Sequence, residues 1–236
     1  ADALTVNANG TVTLTGAGNE VASIAGSAPG GFSYTDATGF QVDGIGIATN
    51  GVLALTATSG AITQGAGAGA AISALTLIAN ATGAGGAVTM ENGQNTVTFL
   101  AGNSAGDFRF RADSGITLGT LSASGTALLR ADAGNIGQLG TVTASVLDVT
   151  AAAGSVVLGS NANSVGTLRG GAQSGFTYGN AGGFVVDGLV VNAGNAQLSA
   201  TTGTISQTGA ISATALTVTA TGGSVALTDA TNQVAT

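Results

Sequence analysis

The densest group of reactive side chains in this chain of 236 residues is Asp107-Phe108-Arg109-Phe110-Arg111-Ala112-Asp113, echoed a little further on by Arg130-Ala131-Asp132. Spacing of i, i+2 puts the charged residues on one face of a strand and the phenylalanines on the other. If successive strands stack as neighbouring turns, Arg111 comes beside Arg130 and Asp113 beside Asp132. Stacked guanidiniums can grip a carboxylate or sulfate such as a glycan carries, which makes Arg109, Arg111 and Arg130 candidate glycan or anion contacts. The plainer reading of the same residues is a solvated face on which aspartates offset arginines.

Other chemistries lack their side chains. The chain has 11 acids, four bases that are all arginine, a net charge of −7, and no histidine, lysine or cysteine. General acid–base work by His or Lys is therefore excluded, and no such base can activate the plentiful Ser and Thr. Polysaccharide-cleaving solenoids cluster their carboxylates, whereas here the acids are scattered. Gly65-Ala66-Gly67-Ala68-Gly69 is not a dinucleotide fingerprint, and without lysine there is no phosphate loop. Thiolate metal sites and disulfides need cysteine. The expectation is a protein that is not an enzyme and holds no cofactor or metal. Four arginines cannot line a nucleic-acid groove or bind an anionic bilayer. The apolar stretch Gly65 to Ala79 is too short and too glycine-rich to insert in a membrane. Thr-x-Thr pairs such as Thr11/Thr13 and Thr217/Thr219 would suit ice only if they recurred in consecutive turns, and they fall on different strands.

The elements that carry these residues are repeats. Leu4-Thr5-Val6, Leu75-Thr76-Leu77, Leu147-Asp148-Val149 and Leu216-Thr217-Val218 open four copies of one unit at nearly equal intervals. A period this long made of short apolar triplets marks a solenoid. Glycine, at 41 residues, is too dense for helices, and 44% hydrophobic content with 6% charge is too apolar for disorder. Apolar markers recur at Val6, Tyr34, Leu55, Leu77, Phe110, Leu129, Val149, Tyr178, Leu198 and Val218. In each unit one wide step is followed by two narrower ones. This rhythm predicts one long turn followed by two short ones, three times over. The segments Ala79–Gly86 and Gly166–Gly175 read as loops bulging from a corner of the longer turns. The expected fold is all-β: a parallel β-helix of triangular cross-section with about ten turns and a three-turn super-repeat of about 70 residues. One segment, 1–236, holds units 1–74, 75–146, 147–215 and a partial 216–236, and it begins and stops mid-pattern, as a fragment of a longer fibre would.

Each unit also carries an asparagine with a valine two positions on: Asn19, Asn95, Asn163 and Asn232. Three turns apart, they cannot form a stacked ladder. They are expected to satisfy local backbone groups at a wide corner, as are Gln64, Gln138 and Gln207 at the same spacing.

Stretches such as Gly223-Ser-Val-Ala-Leu-Thr-Asp-Ala-Thr-Asn-Gln-Val-Ala-Thr236 and Gly60-Ala-Ile-Thr-Gln-Gly65 resemble the filamentous-haemagglutinin-like large exoproteins and related β-helical adhesins of Gram-negative bacteria. The resemblance covers essentially the whole chain. It implies a right-handed helix, export across the outer membrane, and a place at the extracellular surface of a bacterial cell. It also implies a structural shaft that attaches to a glycan or protein on a host or neighbouring cell. The alternative is a subunit that self-associates end to end into a filament, matrix or sheath.

Overall fold

The computed structural model describes residues 1–235; Thr236, the last residue of the partial unit 216–236, lies outside them. Period-two alternation builds almost everything: among the described residues there are 23 strands and one short 3-10 turn, Ala68–Ala70. The strands pair in parallel register from one end to the other, giving a β-solenoid of about 12 turns rather than ten. At roughly 4.8 Å per turn the stack is about 58 Å long.

Two ladders can be followed through the stack. In the first, Leu4 lies under Ile24, Ile24 under Val42 and Val42 under Gln64, one turn at each step. From Ile62, on the same strand as Gln64, it continues through Val88, Phe108, Ala127, Leu147, Leu168 and Val186. The second runs Val12, Phe32, Leu53, Leu77, Leu100 and Leu118; from Ile116, two residues earlier on the same strand, it goes on through Ile136, Val156, Phe176, Ala196 and Leu216.

These registers correct the super-repeat. Leu4 and Leu147 stand on the first ladder, Leu77 and Leu216 on the second. One unit therefore takes about three and a half turns, not three, and successive units open on alternate ladders. The expected long turn is a turn and a half. Val6 is followed on its own ladder by Gly26 and Val149 by Gly170, whereas Leu77 is followed by Leu100, with Gly102 two residues on. Gly26 and Gly170 show no apolar marker and Leu100 falls outside the marker series, so each time the pattern passes to the next aromatic, which belongs to the other ladder.

All three glycines are structurally required. Their φ values are 150, 157 and 132°, and an added Cβ would stand 1.8, 2.1 and 2.0 Å from the carbonyl oxygens of Val6, Ala79 and Val149. At each one the register with the following turn slips, between Ile24/Gly26, Leu100/Gly102 and Leu168/Gly170. Above Gly102 and Gly170 the following turn carries one extra residue, a β-bulge, and above Gly26 a longer insertion, each re-aiming the chain where a side chain would collide with the turn beneath. The expected loop Gly166–Gly175 is likewise mostly strand, Ser164–Ala172. Ala79–Gly86 begins as strand too, within Ile72–Ala81, before it loops.

The core is one column of inward rows. Phe32, Tyr34, Phe108, Phe110, Phe176 and Tyr178 are its largest fully buried side chains. Tyr34 meets Phe40 edge-on at 5.0 Å, and Tyr178 meets Phe184 at 5.2 Å. Each such ring, fully buried, contributes about 1.5–3 kcal/mol.

Candidate functional site

The first ladder gathers the charge. Its outward row passes Thr89, Arg109, Leu128, Asp148 and Arg169 in successive turns, with Arg111, Arg130 and Thr150 in the row beside it. Arg111 and Arg130 are thus neighbours across one turn. Their guanidiniums do not converge, however. Arg109 Nε donates to Glu91 Oε2 at 2.8 Å, and Arg111 Nε donates to Asp132 at 2.9 Å. Arg169 Nε donates to Asp148 Oδ2 at 2.9 Å, and its Nη1 lies 3.8 Å from Asp187. The hydrogen bonds to Glu91 and Asp132 push the Arg109 and Arg111 guanidiniums above their ordinary range, so both stay fully charged. The Arg130 side chain is exposed and makes no hydrogen bond or ion pair among the described residues. Of the three proposed anion contacts, two have carboxylate partners and one is open.

The second ladder is the chemical opposite. Its outward row reads Thr11, Gly31, Val52, Thr76, Phe99 and Thr117 in the lower turns, then Gly137, Val157, Thr177, Gln197 and Thr217 above. The row beside it runs Thr13, Ser33, Ala54, Ile78 and Ala101, and higher up Gly179, Ser199 and Thr219. Neither row holds a charged residue.

The asparagines do more than cap their own corners. Asn163 is fully buried. Its Nδ2 donates to Leu158 O at 3.3 Å and to Gly179 O at 3.0 Å, while its Oδ1 accepts from Val142 N at 2.8 Å and from Gln138 Nε2. Gln138 Oε1 in return accepts from Asn163 Nδ2 at 3.2 Å. Two amides face each other head to head, and one side chain ties together the turns below and above it. Asn95 repeats this with Gln64, Ile72 N, Met90 O and Arg111 O, and Asn232 with Gln207 and Ile211 N. Asn19 donates to Leu14 O and Thr35 O. The sequence treats asparagines and glutamines as separate series; their pairing is legible only as a recurrent separation of about one turn plus a loop.

A second buried polar site gives no such signal. Asp36 is fully buried and accepts from Tyr34 Oη at 2.5 Å, Val21 N at 3.1 Å, and both Thr38 N and Thr38 Oγ1 at 2.9 Å. Burial alone would raise its carboxyl, but the bonds from Tyr34, Thr38 and Val21 outweigh that and hold it below the usual range. Burial, with the Asp36 charge beside it, drives the Tyr34 hydroxyl well above its own.

Among the described residues no three His, Cys, Asp or Glu side chains gather as a metal-ligand set, and no helix is long and apolar enough to cross a membrane. No curated protein and no solved structure matches the chain. The family described as Repeats of unknown function (DUF5649) matches residues 105–169 and 173–236, as two successive copies. The offset between their starts is the one separating Phe110 from Tyr178, so a family repeat is the three-and-a-half-turn unit. The two matches cover more than half of the sequence, and the chain belongs to this family of repeats.

Proposed function

We propose that this repeat β-solenoid is the structural shaft of an exported bacterial surface adhesin. It works as a rigid spacer that holds a contact surface away from the cell. The observation carrying this reading is the parallel strand pairing that continues from Ala3 to Val234. Each turn bonds to the next along its strands, so bending the rod must break ladder bonds, and every added unit lengthens it. On this reading the chain is extracellular, does no catalysis, and meets a glycan or protein on a host or neighbouring cell. Among the described residues Arg130 is the arginine without a carboxylate partner, free to touch an anionic group on such a surface.

Antibody labelling of intact producing cells is expected to reach the chain without permeabilisation. Label that appears only after permeabilisation overturns the reading. Electron microscopy of the purified chain is expected to show rods of one fixed length, about 58 Å. Rods that join end to end into fibres would favour the filament subunit instead.

A further inference from the structure

We propose that the charge-free face of the second ladder packs laterally against the same face of a second copy, pairing two shafts side by side. This goes beyond the shaft reading, which requires no partner of its own kind.

The repeat itself shows that the face is kept free of charge. Equivalent positions in the three units are Ser33, Arg109 and Thr177, and again Thr35, Arg111 and Gly179. The first and third members fall on the second ladder and the middle ones on the first. Arginine therefore appears only in the copy that the half-turn offset places on the charged side. Repetition alone would have put charge on both.

The face is also large enough. Eleven turns of it at about 4.8 Å, by about five residues of strand at about 3.3 Å each, give roughly 870 Å² per copy, or about 1,700 Å² in a pair, within the range of specific interfaces. The charge pattern selects a second copy as the occupant. With a net charge of −7 carried away from this surface, two shafts meeting here keep their charged sides apart, and a charged partner would find nothing to pair with.

The apolar residues fit such a pair. A two-fold axis through Thr117 sets exposed Phe99 opposite Gly137 of the second copy, two turns along the row. Gly137 has open space where a Cβ would stand, with Thr117 Oγ1 the nearest atom at 4.0 Å. The same axis sets Val157 against Thr76. Hot spots of interfaces lie near the centre, in well-packed and fully desolvated pockets, and this placement gives Phe99 such a position.

Sedimentation velocity of the whole chain at micromolar concentration tests this. The expected result is a closed dimer that high salt does not weaken, because no charge lies in the contact. Thr117→Arg brings two guanidiniums together on the axis and is expected to weaken dimerisation by about 100-fold, with the circular dichroism unchanged. Phe99→Glu serves if that variant does not fold. Arg130→Gln, on the other ladder, should dimerise as the parent does. A monomeric parent, a Thr117→Arg variant that pairs as tightly as the parent, or an open series of species growing with concentration would each overturn the proposal. The first and last also differ from failure of the shaft reading, which cell labelling decides.

Discussion

Asp36 and Asn180 occupy equivalent places in their repeat units, one a carboxylate and the other an amide. Each accepts from a tyrosine two positions earlier, Tyr34 Oη at 2.5 Å and Tyr178 Oη at 2.9 Å. Each also accepts from a valine amide, Val21 and Val165. The remaining partners decide the residue. Thr38 N–H and its hydroxyl point at Asp36, which calls for an acceptor, whereas Val165 O and Gly182 O receive the Asn180 amide, which calls for a donor.

Stability should therefore fall in acid through Asp36. Its folded carboxyl is held low, so its contribution is complete above the ordinary carboxylate value of about 3.9 and is lost as pH falls through the lower folded value. Thermal melts of Asp36→Asn should show a shallower loss than the parent below about pH 4. At neutral pH the variant should be weaker by about 1–3 kcal/mol, since the new amide meets the Thr38 donor. Equal acid slopes would count against this account.

Asn163→Ala is expected to lower the free energy of unfolding by about 3 kcal/mol or more in denaturant titrations. It strands Val142 N, Leu158 O, Gly179 O and the Gln138 amide without replacement partners. Gln138→Ala should cost less, because Gln138 is only half-buried and water can reach the site it leaves.

Gly170→Ala should destabilise by about 3 kcal/mol or prevent folding, since its Cβ would lie 2.0 Å from Val149 O at a φ of 132°. Gly182→Ala meets nothing within 4 Å and should change stability by no more than about 0.5 kcal/mol. The pair of melts separates a required glycine from a merely frequent one.

Arg111→Gln releases Asp132 from an exposed pair and should cost no more than about 1 kcal/mol, a difference that high salt should erase. Arg130→Gln should leave stability untouched. If the shaft touches an acidic glycan, this substitution should reduce glycan-array binding more than Arg111→Gln does, because Arg130 has no carboxylate to release first.

Much of this is legible in the sequence, and the failures have a common cause. Period-two alternation at Phe108/Phe110 and Phe176/Tyr178 decides which side chains are inside, and the stacking of Arg111 on Arg130 follows from the length of one short turn. The turn count fails at Gly26 and Gly170, where the ladder position holds no side chain to be seen, and at Leu100, which follows Leu77 outside the marker series. The amide pairs and the buried Asp36 are hidden for a different reason. Their partners lie a turn away, and only the register brings Gln138 to Asn163 or Val21 to Asp36. Glu91 likewise gives no hint in the sequence that it will hold Arg109.

The half-turn left over by each unit has an evolutionary consequence. Duplicating one unit inserts three and a half turns, so every residue beyond the insertion emerges on the other flank, as leaves alternate along a stem. A single duplication would set arginines downstream of it among threonines. Growth in steps of two units, seven turns at a time, preserves both flanks without further substitution, so chains of this kind are expected to lengthen by pairs.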